Sequence, residues 1–423
     1  MRDSSDPLRL EYGREVDGLT VVRQPCPPGA ASFSATYVGP AGWGFDRSGE
    51  EGTARIVNQL LLSGAGPYDR KALARRLDRA GATLSSECAP ESGEVTIWGP
   101  AEDWEKLLAL LAEVVLRPRF ASDDLRRVQR QLSERQMREL SQPAGRADRE
   151  LFRATYPEDH PYRTVGLGDP RSIARVRPEK VRAFHRSHYT SGDAVLVVTA
   201  PARLSAIEAD ARRLFSGFAQ DHGPTLRFPR VRPRAARTVT VELSGRSQVE
   251  VRVGGDSFPR ADPRYPAAFL ANEILGGRAQ LSRLFQRIRE RGGLVYHASS
   301  ELEAMRFGGY WMVGAGTGPE RWEKVVRLLS KELERLERAE VAPAELREIR
   351  ESAIGEIPLA LESTADAHEL AVEVAYHRLP GDHLARWPAL LRSVRPSEVR
   401  AAAEEAMDRR RAVTVVAGPM ASR

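Results

Sequence analysis

Near the start of the chain, Arg55, Asn58 and Gln59 are the polar residues whose spacing could place them on one surface. They fall in the run 51–64, where Ala54, Val57, Leu60 and Leu61 recur at spacings of three and four and Gly52 and Gly64 punctuate the ends. That pattern predicts a short helix with an apolar face turned to a core. Residues three and four apart are helix neighbours, so the other three share a second face. A guanidinium has no lone pair for a metal, and an amide is a poor zinc ligand and no base. This face can donate hydrogen bonds but offers neither a metal site nor a general base.

The remaining reactive groups are sparse. His185 and His188 make a His-x-x-His pair, but they precede a strand instead of sitting on a long helix, and no carboxylate lies at motif spacing, so a packing role is expected. Cys26 and Cys88 are the only cysteines; they exclude a disulfide framework or a CxxC metal site and read as buried thiols. Gly276-Gly277 lacks the GxxxxGK[ST] pattern and follows no buried parallel strand, which argues against nucleotide binding. No Ser-His-Asp or Cys-His constellation stands out.

The elements that carry these residues repeat. Strands are predicted at 19–23 and 32–38, the helix of 51–64 and another at 69–80, strands at 83–88 and 93–98, then helices at 101–116 and 122–140. The same order returns as strands 238–243 and 248–253, helices 263–275 and 280–291, strands 294–301 and 308–314, and helices 319–338 and 343–361. Apolar runs 194–199 and 412–417 close the two halves. This is an internal duplication. Both halves mix hairpins with helix pairs, so the expected fold class is α+β: two homologous halves, each an antiparallel-rich sheet with helices packed on one side. The expected domains are 1–220 and 238–423, joined by a linker at 221–237 that contains Pro224, Pro229 and Pro233.

A chain of 423 residues with 41% hydrophobic and 29% charged content can bury a sizeable core. The net charge of +6 comes from arginines spread over helices and matched by 58 acidic residues, which favours solvated helix faces over a nucleic-acid surface. No apolar run approaches the roughly 20 residues of a membrane span, and the N-terminus has no apolar signal core. No membrane association and a cytoplasmic location are expected.

Further motifs are His160-Pro161-Tyr162, Gly166-Leu167-Gly168 and 184–189 in the first half. In the second half they are Leu275-Gly276-Gly277, 281–286 and 289–296. With these the chain resembles the pitrilysin/insulinase-type metallopeptidases, the inverzincins, over nearly its whole length. In that family a first-half helix carries His-x-x-Glu-His, whose histidines bind zinc and whose glutamate activates water. The resemblance puts Arg55 and Gln59 at the histidine positions and Asn58 at the glutamate position, a degraded zinc motif. It puts the third ligand, a glutamate on a later helix, near Glu134, which is more readily a solvated helix carboxylate.

The resemblance also implies a substrate-binding pair in the second half, an Arg and a Tyr with six residues between them, matched by Arg289 and Tyr296. Both side chains can donate hydrogen bonds to a peptide carbonyl as it becomes an oxyanion. One family arrangement divides the active site between homologous chains, one with the zinc helix and the other with the Arg/Tyr pair. The chain then reads as the non-zinc subunit of a heterodimeric endopeptidase. It would be inactive alone and bind no cofactor itself, with zinc held by a His-x-x-Glu-His partner and unfolded peptide as substrate. The alternative is a pseudopeptidase scaffold or binding protein with no part in proteolysis.

Overall fold

The computed structural model describes residues 6–27, 29–166, 168–218, 225–229, 231 and 235–420. Its strands are β1 (Glu11–Tyr12), β2 (Thr20–Pro25), β3 (Ser32–Gly39), the short pair β4 (Gly64–Ala65) and β5 (Tyr68–Asp69), β6 (Thr83–Cys88), β7 (Gly93–Pro100) and β8 (Val195–Ala200). The second half adds β9 (Arg237–Glu242), β10 (Val249–Ser257), β11 (Val295–Ala304), β12 (Gly309–Thr317) and β13 (Val413–Gly418). The helices are α1 (Thr53–Leu61), α2 (Arg70–Arg79), α3 (Trp104–Leu116), α4 (Ser122–Ser141), α5 (Pro143–Thr155), α6 (Pro170–Arg175), α7 (Pro178–His188) and α8 (Leu204–Leu214). They continue with α9 (Tyr265–Asn272), α10 (Trp322–Arg338), α11 (Pro343–Ala360), α12 (Thr364–Tyr376), α13 (His383–Ser393) and α14 (Pro396–Ala406).

The closing strands organise both sheets. Every residue of β8 is buried, so this strand needs cover on both faces and a neighbour on both sides. The first sheet runs β1-β2-β8-β3-β7-β6, with β8 parallel to β2 and antiparallel to β3. The second runs β11-β12-β10-β13-β9, with β13 parallel to β9 and antiparallel to β10. β2 and β3, and likewise β9 and β10, are therefore not hairpin neighbours, because β8 and β13 insert between them. β6–β7 and β11–β12 are the hairpins, and each sheet is antiparallel-rich as the duplication predicts.

Packing divides the chain into two units. One comprises Met1–Gln136, Gly166–Arg227 and Ile357–Arg386; the other comprises Met137–Val165, Phe228–Glu356 and Trp387–Arg423. Each unit thus takes a helix from the opposite half of the sequence. In the first, Val21, Leu196 and Val198 face the main core, whereas Val22, Val195 and Val197 face away and pack with Ala371, Val374 and Ala375 of α12. In the second, Ala147 and Leu151 of α5 pack with Val413, Val415 and Ala417 of β13. The sheet face opposite the main helical layer therefore also carries a helix.

Each exchanged helix is pinned by buried polar groups. On α12, His368 lies 2.8 Å by Nε2 from Thr36 Oγ1 and 2.7 Å by Nδ1 from Thr199 Oγ1. Thr199 donates its own hydroxyl proton to Gln24 Oε1 at 2.8 Å. It must then accept from His368, so Nδ1 carries the proton and Nε2 accepts from Thr36. On α5, Asp148 accepts from Arg252 Nε at 2.6 Å, and the same guanidinium donates to Glu250 at 2.7 Å. Much of the stretch expected as a linker, including Pro224 and Pro233, lies outside the described residues. Pro229 sits in irregular chain, and Phe228 packs against His160 and Tyr162.

Candidate functional site

Helix α1 starts where Gly52 adopts a left-handed backbone, φ +97°, which an L side chain would strain. The half-buried Asp46 carboxylate caps it from a distance, accepting from Gly52 N at 2.7 Å and Ala54 N at 2.8 Å. Burial pushes Asp46 up to about 7 against these two donors. Ala54, Ile56, Val57, Leu60 and Leu61 fill the core, which leaves Arg55, Asn58 and Gln59 together on the expected face.

Two of the three are engaged in the scaffold. Asn58 is 2% exposed, and its Nδ2 donates to Glu87 O at 2.8 Å and Glu94 O at 3.1 Å, with Tyr189 Oη at 3.3 Å. Glu87 and Glu94 are cross-strand partners, so this amide stitches α1 to the β6–β7 hairpin. Only a donor can do this: a carboxylate would present lone pairs to two carbonyls. Half-buried Arg55 donates from Nε to Gly166 O at 3.1 Å and lies 4.9 Å above the Trp43 ring. Gln59 is half-buried and makes no side-chain hydrogen bond among the described residues.

This donor set does not fit zinc. Arg55 cannot ligate, Asn58 is committed to backbone carbonyls, and among the described residues no three His, Cys, Asp or Glu side chains cluster as a metal site. On α4, the face carrying Leu125, Val128 and Leu132 continues to Gln136, while Glu134 is exposed. Gln136 is 2% exposed, and its Oε1 has no hydrogen-bond partner among the described residues. The inward-facing polar group of α4 is thus Gln136, which sequence inspection passed over although it lies one helical turn beyond Leu132.

His185 and His188 do sit on a helix, the last turn of α7, contrary to the expectation above. His185 donates from Nε2 to Val115 O at 2.8 Å and packs on Phe120 and Tyr189. His188 stacks on Phe184 at 3.9 Å and meets the edge of Phe45, with Nδ1 2.9 Å from Phe184 O. Burial lowers both to about 4, so they are neutral packing residues near neutral pH. Cys88 is buried and its thiol is pushed up to about 12, whereas Cys26 is only partly buried.

The second-half pair presents differently. The expected helix 280–291 is broken into a tight turn, Ala279–Leu281, and a wide helical turn, Phe285–Glu290, ahead of Gly293 at φ +56°. Arg289 is exposed on the wide turn, its guanidinium 5.0 Å above the Phe285 ring. Tyr296 is 59% exposed near the start of β11, an edge strand. There Val295 pairs with Thr317 and His297 with Gly316, so Tyr296 is the extra residue of a β-bulge. Bulges re-aim side chains, and neither Arg289 nor Tyr296 has a side-chain hydrogen bond among the described residues. Gly276 answers to packing: a Cβ there would stand 2.4 Å from Ser300 N.

Two family profiles match the chain, insulinase (peptidase family M16) over residues 21–163 and the peptidase M16 inactive domain over residues 175–353. The chain belongs to the M16 insulinase family. An uncharacterized zinc protease of Mycobacterium tuberculosis is 27% identical over 371 residues, covering 86% of this chain and 84% of the relative. The crystal structure of a peptidase M16 inactive domain from Pseudomonas fluorescens superposes with a TM-score of 0.90 at 24% identity, over 98% of this chain and 99% of that one. The periplasmic protease PqqL from Escherichia coli matches with a TM-score of 0.79 at 17% identity, this chain covering 47% of its length. This M16 chain is an inactive-type homologue of zinc proteases. Among the described residues no helix is long and apolar enough to cross a membrane.

Proposed function

We propose that this M16 chain is the non-zinc subunit of a heterodimeric metalloendopeptidase, working in the cytoplasm beside a homologous His-x-x-Glu-His subunit that holds the zinc. One contrast carries the reading. At the degraded motif, Asn58 and Arg55 are tied to backbone carbonyls, whereas Arg289 and Tyr296 are exposed with no side-chain hydrogen bonds among the described residues. Arg289 and Tyr296 bind and orient unfolded peptide, donating to the scissile carbonyl as charge develops on it. Catalytic groups come from the partner.

The test is reconstitution. The pure chain is expected to show no peptidase activity, and co-expression with its partner to restore cleavage. In the complex, Arg289→Ala or Tyr296→Phe should lower turnover on the order of a hundredfold, with the two subunits still co-purifying. Unchanged turnover in both variants would leave the pseudopeptidase scaffold as the reading.

A further inference from the structure

A basic hollow of about 510 Å³ lies between α2 and α3 in the first unit, remote in chemistry from the face of α1. Its floor is apolar, with buried Leu107 and Leu110. Around it stand Arg75, Arg76 and Arg79 of α2 and Lys106 of α3. Against these four cations the lining has one carboxylate, Asp103, which is taken by Lys106 at 2.6 Å. Arg76 lies 5.1 Å over the Tyr68 ring. Arg75 and Arg79, one turn apart, form no ion pair within 4.0 Å among the described residues.

Arg76 and Arg79 in the last turn of α2 offset the helix dipole, a local reason for two of the cations. It does not account for Arg75, or for Lys106 arriving from another helix. The cations are exposed at the rim of the hollow, yet like charges gathered over an apolar floor still repel one another, and an anion bound between them relieves that repulsion. Guanidinium forks suit the tetrahedral oxygens of phosphate, and several in one hollow call for a polyvalent ligand.

We propose that the hollow between α2 and α3 is a binding site for a diphosphate anion, with Arg75 and Arg79 as its principal donors. The diphosphate could be free or borne by a nucleotide, and two probes separate these sources. Isothermal titration of the full chain with inorganic pyrophosphate and with ADP, at roughly 0.15 M salt, is expected to give a Kd of about 1 mM or tighter for at least one. Tighter ADP binding assigns the apolar floor to the nucleoside; tighter pyrophosphate binding assigns the site to the free anion.

Arg75→Glu and Arg79→Glu should each weaken binding about tenfold or more. The charge-matched Arg347→Glu, exposed on α11, should change it less than about twofold. Equal loss in Arg347→Glu would show a diffuse charge effect and overturn the site, as would no heat with either probe at concentrations well above 1 mM. Matched melting curves confirm that the exposed-surface variants are folded.

Discussion

Replacing Asn58 by aspartate is the sharpest test of the claim that the old glutamate position now works as a structural clip. The substitution keeps size and shape but turns the Nδ2 donor into an oxygen facing Glu87 O and Glu94 O, now 2.8 and 3.1 Å away. Two partly buried carbonyls lose their donor, at up to about 1–3 kcal/mol each. The new carboxylate is desolvated at a position 2% exposed, and no cation among the described residues bonds to Asn58. We expect a loss of about 3–5 kcal/mol in denaturant unfolding at pH 8. That is a large share of typical stability, about 5–15 kcal/mol.

The pH dependence gives the sign. Burial raises the folded-state pKa of the introduced carboxylate, so its cost is full above that value and shrinks as pH falls toward the unfolded value near 4. Asn58→Ala removes the donor without adding charge, so it should cost less and show no such recovery in acid. Equal losses for the aspartate and alanine variants at pH 8, or a deficit independent of pH, would refute the clip.

His368→Ala should destabilise the first unit by about 3–5 kcal/mol, because Thr36 and Thr199 lose a buried partner; hydrogen exchange should show α12 opening first. Burial holds His368 down at about 3, so its stabilising contribution is present above pH 6.5 and lost as pH falls through that value toward 3. His160, His185 and His188, held at about 4, act with it, while the raised Asp46 and Glu94, at about 7, act against it; His368→Gln should flatten the acid arm of the unfolding profile. Rebuilding the motif as Arg55→His, Asn58→Glu and Gln59→His should leave zinc loosely held by equilibrium dialysis, because exposed Glu134 supplies no inward carboxylate. Adding Gln136→Glu should tighten zinc about tenfold or more; no gain would show that α4 does not face the rebuilt pair.

What the sequence by itself determined is local. The helix at 51–64, its polar triplet, the lack of metal-ligating side chains there, the duplication and the Arg/Tyr spacing were all legible, because they rest on periodicity and side-chain chemistry within a few turns of chain. The position of β8 was half legible: its six apolar residues announce burial on both faces but not which strands flank it. Only the tertiary structure decided what depends on partners distant in the chain. Asn58 reads as a lost catalytic group until Glu87 and Glu94, about thirty positions on, bring their carbonyls to its amide. The exchange of α5 and α12 rests on Arg252 and His368, whose partners lie 104 and 332 residues away along the chain. Tyr296 projects because one register slip against β12 leaves it unpaired. A periodic pattern states which face of an element is apolar, but the neighbour that covers it is chosen by the whole chain minimising exposed apolar surface and unpaired polar groups together.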